Sequence, residues 1–447
     1  MVLIRSINNW VFVGVLLVGA RPATAATETP AVAPTAPLLS LAEARRTAFL
    51  NSWDLLAAKS DVDLATAQRL VAREFPNPTL ALGTTKIGVG NQPNGSATGD
   101  GLWERSYDTV AAVSQLIEIG GKRSARAAAA SAGLRGAAAR LEDARRLLDQ
   151  VVTQAYAATT LAERNQQILT DSAASLRQEA KIAAVRQHDG DISFADQSQI
   201  EMAAERLELD ARAAEASARN ARITLEVLLG VKQPRGQLQL AESVEQLADL
   251  PEAAVLGTTN ANASAVAANR PDVLAAEAAR NKLEADLRLQ RAMRVPDPTV
   301  FGQYEHQPPD QPNTVGFGVS FPLPLWNRNR GAISAAQALV EQANVQAQKV
   351  GALAIADILT AQISFNATRT RWLQYRDELA PQSHRIRETV VFAYEHGAAS
   401  LLDLLLAQRT DNEVRLAMAQ AAADAANATA GLQASLATAS PTLLAKP

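Results

Sequence analysis

The chain has 447 residues, with 43 Lys and Arg against 46 Asp and Glu, a formal charge of -3, no cysteine and only 4% aromatic residues. Without a thiol there can be no disulfide, thiolate metal site, cysteine nucleophile or cysteine lipid anchor, and the near-balance of charge with no Lys/Arg block argues against a nucleic-acid partner. Alanine dominates the apolar fraction, which favours long, closely packed helices over a thick globular core.

Arg5, an apolar run over residues 10–20 and the small residues Ala23-Thr24-Ala25 have the three-part layout of a secretory signal. Residues 1–25 are therefore read as a signal peptide with mature start Ala26, which takes the charge to about -5 and sends the protein out of the cytoplasm. The apolar run is well short of the ~20 residues that span a bilayer, and no other stretch qualifies as a transmembrane helix. Residues 26–39, with Pro30, Pro34 and Pro37, read as a linker.

A first structural repeat occupies 40–230. Ser40-Leu-Ala-Glu43 is a capping box that opens a helix over 40–74, stopped by Pro76 and Pro78. Two β-like stretches, 79–87 and 107–119, flank a Gly/Asn-rich segment at 88–101 and predict a hairpin with a long polar tip. Residues 122–187 lack proline and carry Leu134, Leu141, Leu148, Ala155, Ala162, Leu169, Leu176 and Ala183 at seven-residue spacing, with Ala137, Ala144, Val151 and Ala158 completing an a/d seam. A turn at 188–191 leads to a return helix over 192–229. Residues 231–270 read as an irregular connector with one short helix. The second repeat, 271–437, gives a helix over 271–294, a hairpin from 298–306 and 313–323, a long helix over 330–394 and a return helix over 400–437, followed by a tail at 438–447.

The repeats share three anchors in the same order. FPNPTLALG from Phe75, VSQLIEIGGKRSAR from Val113 and GDISFAD from Gly190 are answered by VPDPTVFGQ from Val295, VSFPLPLWNRNRGA from Val319 and GAASLLD from Gly397, at offsets of 220, 206 and 207 residues. A fixed long period marks a duplicated structural unit.

In the second hairpin Val315, Phe317, Val319 and Phe321 share one face and Thr314, Gly316, Gly318 and Ser320 the other; the facing of the first is not set by its weaker alternation. Four strands cannot close a barrel, and open sheet edges are not tolerated in lipid. If the strands enter a membrane, protomers must pool them, and three copies give twelve. The alternative is a periplasmic coiled-coil scaffold whose hairpins pack on its own helices.

These segments together resemble the outer-membrane efflux protein family, the trimeric channel-tunnels of tripartite exporters. SQLIEIGGKRSAR from Ser114 and FPLPLWNRNRG from Phe321 are similar to the strand-to-helix junctions of the branch serving heavy-metal pumps of the cobalt-zinc-cadmium or nickel-cobalt type. The resemblance covers about 40–437. It implies a mainly α fold with a small β part: a homotrimer with a periplasmic α-barrel and a 12-stranded transmembrane β-barrel in outer-membrane lipid of a Gram-negative cell. Implied partners are a periplasmic adaptor (membrane fusion) protein and an inner-membrane RND-type pump. The implied cargo is cobalt, zinc, cadmium or nickel, with drug or type I protein export as the alternative.

By the same resemblance, Gly190, Ser193 and Asp196 and their counterparts Gly397, Ser400 and Asp403 lie at adaptor-contacting periplasmic tips. Glycine permits the reversal, while Ser and Asp suit the start of the returning helix. Asp196, Tyr394 and Asp403 would line an entrance constriction. The family's arginine position is Ala399 and its second aspartate is Leu406, which puts an arginine latch in doubt.

No enzyme, cofactor or resident metal is expected. His188, His306, His384 and His396 lack ligand spacing. Gly120-Gly-Lys-Arg-Ser124 lacks the first glycine of a phosphate loop and has Arg123 at the hydroxyl position, so it reads as a basic junction near the membrane surface. Trp103, Tyr107, Tyr304 and Trp326 fall near strand ends, as interfacial aromatics do.

Overall fold

The structure is a computed structural model that describes residues 38–85, 108–249, 263–307 and 311–437. The signal peptide, most of the 26–39 linker, the 88–101 hairpin tip, Trp103, Tyr107, connector residues 250–262 and the 438–447 tail lie outside the described residues.

Each half runs helix, hairpin, long helix, return helix. The first comprises α1 (Leu41–Asn51), α2 (Trp53–Val71), β1 (Thr79–Thr85), β2 (Asp108–Leu116), α3 (Lys122–His188) and α4 (Phe194–Leu228). The connector carries α5 (Val244–Ala248) and α6 (Ala263–Ala268), one short helix more than expected. The second half comprises α7 (Pro271–Ala292), β3 (Thr299–Gln307), β4 (Gln311–Ser320), α8 (Arg330–Gln374), a π turn (Tyr375–Leu379), α9 (Ala380–Glu395) and α10 (Leu401–Ser435). With 67 residues, α3 is about 100 Å long at 1.5 Å per residue.

Three helical expectations need correction. The helix expected over 40–74 breaks at Ser52, which adopts φ -62 and ψ 125 and starts α2. Here Asn51 packs on Gly230, whose left-handed turn leaves room for no Cβ, since one would meet the Asn51 Cβ at 2.7 Å. The helix expected over 330–394 contains the π turn just before Pro381, where the Ala380 N–H bonds to the Tyr375 carbonyl. The wider turn accommodates a proline that lacks an N–H and crowds the preceding turn. Finally, Ala137, Leu176 and Ala183 are buried on α3 as the heptad predicts, but midway the buried stripe is Val152, Tyr156 and Thr159, and Val151 is 45% exposed. A straight helix drifts ~20° per heptad against a seven-residue repeat, so a single seam cannot stay facing one partner along its whole length.

Leu39 forms a parallel bridge with Leu240, its N–H donating to the Gln239 carbonyl at 2.8 Å and its carbonyl accepting from Ala241 at 3.0 Å. The connector is held from α4 by buried Glu226, whose carboxylate accepts N–H groups of Arg235, Gly236 and Gln237 at 2.5, 2.9 and 3.0 Å. Burial raises the pKa of this carboxyl, but the backbone donors outweigh burial and hold it below its usual range.

The strands form one antiparallel sheet ordered β1-β2-β3-β4, so the β2–β3 pairing joins the repeats and β1 and β4 are edges. The register settles the facing of the first hairpin. One face carries the rows Leu80, Val113, Gly302, Phe317 and Leu82, Ala111, Tyr304, Val315. The other carries Ala81, Ala112, Gln303, Gly316 and Gly83, Val110, Glu305, Thr314. An apolar face and a small, polar face thus run across all four strands. Leu82 and Phe317 are 74% and 85% exposed in the protomer, as lipid-facing side chains are.

The expectation that no further segment has the apolar length of a membrane span also meets an exception. An 18-residue window within 330–395 reaches mean hydropathy 1.4 with 17% of it buried in the protomer.

Candidate functional site

At the end of the helices remote from the sheet, two turns repeat the same geometry. Gly190 (φ 85) and Gly397 (φ 74) take the left-handed conformation, which glycine adopts without a Cβ penalty. Gly190 N–H bonds to Gln187 and Asp191 N–H to the Arg186 carbonyl; Gly397 and Ala398 bond likewise to Tyr394 and Ala393. This paired pattern terminates a helix by satisfying its last carbonyls.

Each returning helix then starts on a serine cap, and the second also closes the reciprocal bond. The Ser193 hydroxyl accepts the Asp196 N–H at 3.1 Å and lies 2.8 Å from its carboxylate. Ser400 accepts the Asp403 N–H at 3.2 Å, and Asp403 Oδ2 accepts the Ser400 hydroxyl at 2.6 Å and its N–H at 3.0 Å, a closed capping box. The Ser400 hydroxyl and N–H hold the exposed Asp403 carboxyl below the usual aspartate range. Asp403 is therefore an anion at neutral pH.

One apolar cluster binds both tips together: Leu176, Ala180 and Ala183 of α3, Ile200 and Ala204 of α4, Tyr394 of α9 and Leu404 of α10. Tyr394 is 6% exposed, and among the described residues its hydroxyl has no hydrogen-bond partner. Burial raises its pKa. Ala399 is half-buried in the same cluster, whereas Leu406 is 60% exposed.

The structure brings all six duplicated tip residues to one end, and adds a group the sequence did not single out. Arg186 places its guanidinium 5.4 Å from the centre of the Tyr394 ring, so a cation reaches this tyrosine from α3 although position 399 is alanine. The only sequence signal was its place four residues before Gly190. Nearby Glu179 has its pKa raised, by burial first and by Glu395 second. His396 Nδ1 lies 2.8 Å from the Phe392 carbonyl and its ring stacks on Phe392 at 4.1 Å.

At the opposite end, Tyr304 shares the apolar sheet face and its hydroxyl pairs with Asn313. Trp326, just beyond β4, is 93% exposed.

The outer membrane efflux protein family matches residues 44–231 and 262–438, one segment for each repeat. The cobalt-zinc-cadmium resistance protein CzcC of Cupriavidus metallidurans is 26% identical over 381 residues, 85% of each chain. Among solved structures, CusC, described in terms of folding and transmembrane channel formation, superposes with TM-score 0.74 at 19% identity, covering 89% of this chain and 91% of its own. The outer membrane protein VceC of Vibrio cholerae gives 0.73 at 19% identity, with 89% and 96% covered. In this fold the four-stranded sheets of three protomers make a twelve-stranded outer-membrane barrel continued by a periplasmic helical tunnel, a passive conduit and no enzyme. Matched through both repeats, the chain belongs to the outer membrane efflux protein family and is an outer-membrane efflux channel of tripartite systems.

Proposed function

We propose that this channel is the exit duct for heavy-metal cations such as cobalt, zinc, cadmium or nickel. A periplasmic adaptor would engage the tips at Gly190, Ser193, Asp196, Gly397, Ser400 and Asp403, and an inner-membrane RND-type pump would supply the energy. The observation carrying this reading is the 85% coverage by a relative named for cobalt, zinc and cadmium resistance. The tip chemistry is compatible with it: three protomers present three copies of Asp403, each kept ionised by its own capping box. Such a ring attracts cations without ligating them, and a conduit gains nothing from holding its cargo. Asp196 and Asp403 would line the entrance, and Tyr394, expected there with them, is instead buried in the cluster behind them and would hold the two tips together. Arg186 on Tyr394 would take the place of the latch that Ala399 cannot supply.

The test is a deletion strain assayed for growth and cell metal content in each of the four metals, complemented by wild type or by Gly397→Glu. Deletion should raise metal content and sensitivity. Gly397→Glu should fail to complement while its trimer still assembles. Unchanged metal resistance with increased drug sensitivity would replace the metal reading by drug export.

A further inference from the structure

The sequence contains no Lys/Arg block, yet folding assembles one. Segments 69–78, 117–126, 288–298 and 321–330 meet at one end of the sheet, because β1 and β3 begin there while β2 and β4 end there. Together they hold ten Lys and Arg against three acids, in a chain whose totals are 43 against 46. Two of the acids are already neutralised, Glu118 by Arg126 and Asp297 by Lys122. Arg73, Arg123, Arg291, Arg294, Arg328 and Arg330 are exposed in the protomer and, among the described residues, form no ion pair.

The arginines are interleaved with apolar surface. The Arg123 guanidinium lies 3.9 Å over the ring of Phe75, which is itself 69% exposed, and Arg123 Nη1 donates to the Arg73 carbonyl at 3.4 Å. A cavity of about 430 Å³ opens between Arg73, Lys122, Arg123 and Ser124, with Glu118, paired to Arg126, also in its wall. Phe321, Leu323, Leu325 and Trp326 continue the exposed apolar rim beyond β4. The helices that start here also differ from those at the tips: α3 and α8 have no side-chain cap and no acid in the first turn, and the one acid of these segments left without an ion pair among the described residues is Glu74.

Exposed cations beside exposed aromatics, at the depth where barrel strands end, match the headgroup layer of a bilayer, where phosphates sit above acyl chains. We propose that this collar binds the phosphates of anionic phospholipids in the periplasm-facing leaflet and so fixes the depth of the barrel. The inference rests on the outer-membrane barrel and not on the cargo, so failure of the metal reading leaves it intact.

The test uses the purified trimer in nanodiscs of phosphatidylcholine with and without phosphatidylglycerol, retained lipid being counted by native mass spectrometry. The wild type should retain phosphatidylglycerol preferentially and lose the preference in high salt. In the variant Arg73→Gln/Arg123→Gln/Arg328→Gln/Arg330→Gln, phosphatidylglycerol retention should fall by on the order of tenfold or more, with phosphatidylcholine retention unchanged. Should that variant not fold, the same four positions changed to Lys should keep the preference, and the wild-type salt titration reads the same charge. Equal retention of both lipids by the wild type overturns the proposal. So does a preference for lipid A, or stabilisation of the trimer by inorganic phosphate alone to the same extent as by phosphatidylglycerol.

Discussion

Lys122, the first residue of α3, and Asp297, just before β3, are joined across the two repeats by a 2.7 Å ion pair. The Lys122 ammonium also donates to the Val295 carbonyl at 2.6 Å, and Asp297 accepts the Ile119 N–H at 2.9 Å. The start of the first long helix is thereby tied to the strand that opens the second hairpin. Lys122→Met strands a largely buried carboxylate and should cost about 3–5 kcal/mol, read as a lowered midpoint of trimer unfolding in detergent. Adding Asp297→Asn, which keeps an acceptor for Ile119, should recover much of the loss.

The sheet depends on close aromatic–glycine fits. A Cβ at Gly318 would lie 2.4 Å from the Phe301 ring, whereas one at Gly83 would meet nothing within 4 Å. Gly318→Ala should therefore destabilise the barrel by about 1–3 kcal/mol, while Gly83→Ala leaves it unchanged or slightly more stable. The temperature at which the trimer dissociates on a gel compares the two directly.

Glu226 makes the connector acid-sensitive. Its carboxyl pKa is depressed in the fold, so its contribution is complete above the unfolded-state value and is lost as pH falls through the lower folded one. Protection from hydrogen exchange at Arg235, Gly236 and Gln237, relative to the unfolded-chain rate at the same pH, should be high at neutral pH and should fall on acidification below the ordinary glutamate range. In Glu226→Gln it should be lower at neutral pH and should not change across that range.

Asp403 is predicted to act by charge at the entrance. Asp403→Asn should lower cation-over-anion preference in reversal-potential measurements, with the helix start retained because the Ser400 hydroxyl still accepts the backbone N–H of position 403 and an amide oxygen there can still accept the Ser400 N–H. The wild-type preference should persist below the usual aspartate pKa, since Ser400 stabilises the anion. An unaltered reversal potential would reduce Asp403 to a capping residue.

Much of this was legible in the sequence because duplication and punctuation are local signals. Gly397, Ser400 and Asp403 fix a turn and a cap within seven residues, and their structure follows from those residues alone. The break at Ser52 was not legible, since it depends on Gly230 more than 170 residues away. The facing of Leu80 and Leu82 needed the register with Val113 and Phe317, which one hairpin does not contain. Arg186 near Tyr394 was not legible, and of the basic collar only the junction at 120–124 was, for the same reason: each is assembled from segments of both repeats.

The central claim is that three copies of this chain form a conducting pore. Reconstitution of the purified protein into a planar bilayer, with its oligomer mass measured in the same detergent, tests it most directly. A trimer that produces discrete conductance steps is the predicted result; a species that remains soluble without detergent and never inserts would contradict it.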